Sequence, residues 1–182
     1  MENQAIYSVK SNLYSDNLIT YSGLVVDVFN PKPEMFSIVD IAHALSNICR
    51  FGGHTKRFYS VAEHSIRVSH SVEPEFKLQA LMHDAGEAYL FDMPSPIKKH
   101  LIGYEGLEQG VMRAISKQFQ FPWPMSEEVE KADKLNLELE WELLFNNFNA
   151  DDSNICMDPF RAESVFLFHF FKYSNNQFSN HK

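Results

Sequence analysis

Residues 60–87 decide the fold, and they read SVAEHSIRVSHSVEPEFKLQALMHDAGE. Ser60–Glu63 has the spacing of a capping box, so the sequence predicts that a helix opens there and carries His64. Pro74 suits the first turn of a further helix, which leads directly into the adjacent pair His83-Asp84. We therefore expect two helices that bring metal-ligating side chain types towards each other.

Outside this stretch, apolar residues recur at helical spacing and predict four more helices. These helices follow Ser37, run from Leu107 to Phe119, follow Ser126 and open at Pro159. Asn17–Phe29 reads as a short hairpin that turns at Ser22-Gly23. The predicted fold class is therefore all-α, a single helical bundle with a small N-terminal β-hairpin. We expect an N-terminal extension over 1–36, a helical domain over 37–173 and a flexible tail over 174–182.

Composition restricts the classes of function. A chain of 182 residues with 45% hydrophobic content suits one domain with one core. The net charge of -8 argues against binding of duplex nucleic acid, which draws on clustered Lys and Arg. The chain has only two cysteines, no leader pattern and no apolar stretch of membrane-spanning length. The expectation is a soluble cytoplasmic protein that does not enter membranes.

The adjacent pair His83-Asp84 is a weak signal by itself, because such pairs occur by chance in many proteins. His64 and Asp133 strengthen it, since they lie at inward-facing positions of separate predicted helices. Imidazole and carboxylate groups together suit a divalent transition metal such as Zn, Co, Mn or Fe. The alternative is that all four residues are buried hydrogen-bonding groups.

The order His, His-Asp, Asp within Ser60–Ser65, Leu81–Glu87 and Ala132–Leu135 resembles the HD-domain phosphohydrolase superfamily. Over roughly Ile38–Phe145 the chain is similar to small bacterial and phage enzymes that act on deoxynucleotides. These are the 5'-deoxynucleotidases and the phage dATP triphosphohydrolases. Asp92–Lys98 resembles the Asp-x-Pro-x-Pro-x-Lys run of the former. The resemblance implies an HD-type helical domain in which His64, His83, Asp84 and Asp133 bind one divalent ion.

The resemblance also implies catalytic roles for two further carboxylates. Glu87 takes the place of the acid that orients or deprotonates the nucleophilic water. The alternative interpretation of Glu87 is a solvated carboxylate at a helix end. Asp92 is the partner, which either holds water or protonates the leaving 5'-oxygen. The division of roles between the two stays open.

Three cationic or titratable residues are candidates for substrate binding. Arg50 matches the position of a phosphate-contacting Arg in the 5'-deoxynucleotidases, and its planar fork suits phosphate. Lys98 is the second candidate. The alternative for Arg50 and for Lys98 is that the residue is an ordinary surface cation. His54 follows paired glycines and could bind phosphate, bind a second divalent ion or face solvent. Three histidines outside the motif are interpreted as packed or surface residues: His43, His70 and His100.

The leading hypothesis is attack of water at the α-phosphorus of a small-molecule deoxynucleotide. The chain resembles the phage dATP enzymes in size and in the interval from Asp84 to Asp133, and this resemblance implies a purine triphosphate such as dATP as substrate, with deoxynucleoside and triphosphate as products. The interval from His64 to His83 is shorter than in the 5'-deoxynucleotidases, whose monophosphate substrate is the alternative. A non-catalytic nucleotide-sensing metal module is the competing class. The resemblance further implies homo-oligomers, for which the Phe-rich last helix is either an interface or core.

Overall fold

A computed structural model describes residues 16–146 and 156–179, with side chains through residue 175. Within these ranges the chain forms a two-stranded sheet and eight α-helices. The strands are β1 (Leu18–Ile19) and β2 (Val25–Val26), and the helices are α1 (Ile38–Asn47), α2 (Val61–His70), α3 (Lys77–Leu81), α4 (Glu87–Leu90), α5 (Ser95–Lys98), α6 (Tyr104–Phe119), α7 (Glu127–Trp141) and α8 (Pro159–Ser179). The predicted all-α bundle with an N-terminal hairpin is confirmed.

The hairpin is fixed to α1 by a buried carboxylate. Its strands pair in antiparallel fashion, with Leu18 opposite Val26. Asp40 of α1 accepts hydrogen bonds from the Thr20 hydroxyl at 2.8 Å, the Ser22 amide at 2.6 Å and the Ser22 hydroxyl at 2.7 Å. A buried carboxylate is costly unless it is hydrogen-bonded, and the hairpin turn supplies those bonds. The hairpin is thereby docked on the helical domain.

Helix α8 lies at the centre of the packing, against α1, α2 and α3. Its aromatic sequence divides between two environments, because Phe166 and Phe170 are buried while Phe168 and Phe171 are exposed. The other large side chains of the core come from α1, α2, α3, α6 and the residues that follow α3 and α7: Ile41, Leu45, Val61, Leu81, Met82, Ile115 and Leu144. In the described residues, no helix is both long and apolar enough to cross a membrane.

The start of α2 follows the predicted capping box in part. The Ser60 hydroxyl accepts a hydrogen bond from the Glu63 amide at 3.1 Å, as expected. The Glu63 carboxylate does not return to Ser60; it accepts from the amides of Cys156 and Met157 at 3.1 and 2.7 Å. Glu63 thus fixes the segment before α8 to α2. Ser126 caps α7 as predicted, accepting from the Val129 amide at 3.4 Å.

One predicted cap and two predicted helix boundaries differ from the structure. Ser37 precedes α1, but its side chain makes no capping hydrogen bond. Helical backbone in α8 continues past Ser174 to Ser179 and so extends into the segment predicted as a flexible tail. The helix expected to run into the His-Asp pair ends at Leu81, and residues 82–86 form turns before α4. His83 and Asp84 therefore lie between two short helices, which frees both side chains to point to one place.

Candidate metal centre

Three ligand atoms from distant parts of the chain converge at the surface-facing side of the core. The Nε2 atoms of His64 and His83 lie 3.2 Å apart, and the Asp133 carboxylate lies 3.0 Å and 3.6 Å from them respectively. Ligand atoms each about 2.1 Å from one cation lie roughly 3.0–3.4 Å apart. The group fits a single divalent metal ion, and its mixed nitrogen and oxygen donors suit a transition metal.

Asp84 converges on the same point. Its Oδ2 atom lies 3.2 Å from His83 Nε2 and 3.6 Å from His64 Nε2. Burial opposes ionisation of Asp84, but the adjacent His83 imidazole lowers its pKa to about 2. Burial likewise opposes ionisation of Asp133, but hydrogen bonds from His64 and His83 outweigh burial and lower the pKa of Asp133 well below its ordinary value. Both carboxyls are therefore ionised at neutral pH, which is the state that binds a cation.

The far nitrogens of the two imidazoles are both anchored. His64 Nδ1 lies 2.6 Å from Glu140 Oε1, and His83 Nδ1 lies 2.8 Å from the Ala80 carbonyl oxygen. A proton on Nδ1 leaves the Nε2 lone pair free for a metal ion, and such partners orient the ring. Tyr59 also donates to Glu140 Oε1 at 2.7 Å. The surroundings of both histidines therefore match those of metal ligands.

Sequence reasoning missed Glu140. This carboxylate is buried, and it holds both His64 and Arg50 through its two oxygens. Burial opposes its charge, but the hydrogen bond from His64 and the Arg50 guanidinium lower its pKa. A signal was present in the sequence, because Glu140 lies about two helical turns after Asp133 and so on the same face of α7.

Arg50 is buried beside the metal-ligand group, which excludes the alternative that it is an ordinary surface cation. Its Nε atom lies 3.2 Å from Glu140 Oε2, and its NH1 atom lies 3.5 Å from Asp84 Oδ2. Burial opposes the charge of Arg50, but Glu140 and Asp84 together raise its pKa. The turn Arg50–Gly53 contains left-handed backbone at Phe51, Gly52 and Gly53, with φ of 56°, 60° and 76°.

The two candidate catalytic carboxyls differ in their surroundings. Glu87 Oε2 is buried without a hydrogen-bond partner among the described residues. Burial first, and then the charges of Asp84 and Asp92, raise the pKa of Glu87 well above its ordinary value. Burial also raises the pKa of Asp92, whereas Arg50 and the Phe51 backbone amide act in the opposite direction. One carboxylate oxygen of Glu87 is therefore shielded from solvent, which argues against a fully solvated side chain.

The other two candidates for substrate binding lie away from these contacts. Lys98 is paired with Glu108, and its Nζ atom lies 5.6 Å from the centre of the Tyr104 ring. His54 is exposed, and its amide donates to the Phe51 carbonyl at 3.1 Å. Neither side chain contacts the metal-ligand group within the described residues. Their roles in substrate binding stay predictions.

An aromatic group borders Arg50. Phe51 lies 5.3 Å from Phe145 and 6.0 Å from Trp141, while Trp141 and Phe145 are stacked at 4.4 Å between ring centres. The Arg50 guanidinium lies 5.4 Å from the Phe51 ring centre. Trp141 is 52% exposed, so a flat ligand could reach its ring.

Comparison with known proteins shows the family of the chain but gives no activity for it. An uncharacterized protein of Rhodobacter capsulatus is 34% identical over 152 residues, which cover 76% of this chain and 78% of that protein. The chain belongs to the family of that protein. The uncharacterized protein YfdR of Escherichia coli is 47% identical over 103 residues, which span 57% of this chain and 58% of YfdR. No protein-family model matches the chain.

Proposed function

We propose that this protein is a metal-dependent phosphohydrolase of the HD-domain type, acting at the α-phosphorus of a deoxynucleotide. The observation that carries the proposal is the convergence of His64, His83 and Asp133 within 3.0–3.6 Å of one another. Asp84 completes the ligand order His, His-Asp, Asp on which the resemblance to that superfamily rests. These four residues would hold one Zn, Co, Mn or Fe ion.

The bound ion would supply Lewis-acid polarisation of the phosphate and a lowered pKa for the attacking water. Glu87 is suited to handle the water's proton, because its buried carboxyl has an oxygen without a partner and faces Asp84 and Asp92. Asp92 is suited to the complementary proton transfer at the leaving 5'-oxygen. Arg50 holds its positive charge between the metal ligands and Asp92, where it would bind a phosphate oxygen.

The proposed substrate is a purine deoxynucleoside triphosphate, with a deoxynucleoside monophosphate as the alternative. Support for a base-containing substrate comes from the aromatic group Phe51, Trp141 and Phe145, which continues outward from Arg50. A phosphate on Arg50 would place the rest of a nucleotide next to these rings. Stacking on them would be tolerant of base type, so base preference must be measured.

The direct test incubates the full chain with a panel of deoxynucleotides and with Zn, Co, Mn or Fe, and resolves nucleoside, phosphate and triphosphate. Triphosphate release supports the leading substrate, and inorganic phosphate from a monophosphate supports the alternative. Glu87→Gln is expected to keep its metal and lose about 10²- to 10⁴-fold in turnover, because a general acid or base is removed. The exposed Glu105→Gln is the matched control.

Two results would contradict the proposal. The first is a chain that takes up no transition metal under any loading condition. The second is nucleotide binding without turnover of any substrate in the panel, which would instead favour the non-catalytic nucleotide-sensing module. Unchanged turnover in Glu87→Gln would remove that residue from the proposed chemistry.

A further inference from the structure

A second pair of histidines lies outside the candidate metal centre. His70 is the last residue of α2, and His169 lies in the middle of α8. Their Nε2 atoms are 3.2 Å apart, and the ring centres are 4.7 Å apart with the planes at 73°. The sequence interpretation set His70 aside as a packed or surface residue, since its partner follows 99 positions later in the chain.

We propose that His70 and His169 form a second transition-metal site, in which both Nε2 atoms bind one ion. Two nitrogens about 2.0–2.1 Å from the same ion lie roughly 3 Å apart, so the pair needs little rearrangement. His70 is exposed and His169 is partly exposed, which gives the ion access and leaves coordination positions for solvent. This site is separate from the one invoked for hydrolysis.

The surroundings of the pair keep both rings as neutral nitrogen donors. Burial first, and then the charges of Lys77 and Lys172, lower the pKa of His70. Burial and the same cations, together with His70, lower the pKa of His169 to about 4. Both rings are therefore neutral at pH 7 and offer lone pairs. No carboxylate pairs with either ring in the described residues, so Zn, Ni or Cu fits better than Mg or Ca.

Binding at this site would join two elements of the bundle. Helix α2 carries His64 of the candidate metal centre, and α8 packs against α2 through the core. An ion shared by His70 and His169 would connect the C-terminal end of α2 to the surface of α8. The proposed effect is therefore to stabilise the packing of these two helices.

Isothermal titration of the full, metal-free chain with Ni²⁺ tests the assignment. His70→Ala and His169→Ala are each expected to bind one equivalent fewer than the natural sequence. The exposed His100→Ala is the matched control and should keep the natural stoichiometry. His83→Ala removes a ligand of the other centre and should leave the His70–His169 equivalent in place. Equal stoichiometry in the natural chain, His70→Ala and His169→Ala would overturn the proposal.

Thermal unfolding with and without Ni²⁺ gives a second readout. An ion at about 100 times its Kd should raise the Tm of the natural chain by roughly 5 °C or more, since it binds only the folded state. Either single substitution should remove the part of the shift due to this site, and the double substitution should remove no more. Additive losses would mean that the two rings bind independently, which contradicts a shared ion. Circular dichroism at about room temperature checks that each variant is folded.

Discussion

Two histidine pairs in the described part of the chain have the same separation, 3.2 Å between Nε2 atoms, but opposite surroundings. His64 and His83 are buried, carry acceptors on both Nδ1 atoms and face the carboxylates of Asp84 and Asp133. His70 and His169 lie near the surface among cations. The distance between two imidazoles therefore describes only their capacity to share an ion. Charge and anchoring determine how tightly the ion is held.

Anchoring separates the pairs most clearly. Each ring of the buried pair has its far nitrogen held by a protein oxygen, Glu140 Oε1 for His64 and the Ala80 carbonyl for His83. By contrast, the Nδ1 atom of His169 is buried without a hydrogen-bond partner among the described residues. A metal-bound imidazole is more basic and better oriented when its far N–H is satisfied. We expect the buried pair to bind the first equivalent of metal.

The largest expected effect comes from removing the anchor of the buried pair. Glu140→Gln should weaken binding of the first metal equivalent by about 10- to 100-fold, because the carboxylate that orients His64 is lost. Titration with Zn²⁺ against a competing chelator measures this change. The exposed Glu138→Gln, on the same helix, is the control. Natural affinity in Glu140→Gln would show that anchoring does not distinguish the pairs.

Acid should destabilise the protein through the surface pair. The pKa of His169 is about 4 in the folded chain and 6.5 for an ordinary histidine. Between these values the unfolded chain binds more protons, so stability is full above about pH 6.5 and falls as pH decreases towards 4. Urea unfolding at several pH values in a chelator measures the effect. His169→Gln should lose less stability in acid than the natural chain, whereas the control His100→Gln should lose as much as the natural chain. Equal losses in the natural chain and both variants would contradict the assignment of this effect to His169.

A smaller effect should follow when the surface pair is given acidic surroundings. Lys77→Glu replaces a cation that lowers the pKa of both His70 and His169. Their pKa values should rise, and affinity for Ni²⁺ at this site should increase several-fold because the ion meets a negative charge. Lys99→Glu, an exposed residue elsewhere, is the control. Unchanged affinity in Lys77→Glu would mean that these cations do not weaken the site.

The fold was largely accessible from the sequence, because periodic apolar residues and caps are local signals. Ser126 is an example, since its predicted capping bond is present. The end of α3 at Leu81 was not accessible, because apolar residues continue through the turn that follows. That turn depends on tertiary packing, in which the Gly86 amide approaches Met112 Sδ at 3.0 Å. A Cβ atom on Gly86 would lie 3.0 Å from the same sulfur atom, so Met112 would have to shift to make room for it.

The candidate site was accessible where residue type and order carry information. His64, His83, Asp84 and Asp133 meet as the motif predicted, although their metal remains a proposal. Glu140 was missed because, in a helix with several glutamates, only its position about two turns after Asp133 distinguishes it. The same limit applies to His169, whose role depends on which helices become neighbours. Lys98 was singled out by the motif, and the structure pairs it with Glu108, so its role in substrate binding stays a prediction.

The long-range contact between His64 and Glu140 has a consequence for how the protein matures. Those residues are 76 positions apart, and Tyr59 reaches the same carboxylate across 81. Contacts so remote in sequence form late, because closing a large loop costs conformational entropy before the contacts can stabilise the fold. A nascent chain that has emerged only as far as α6 would have both histidines of the buried pair but neither Asp133 nor Glu140. High-affinity loading with metal should therefore be a late step of biosynthesis, and it would report completion of the fold.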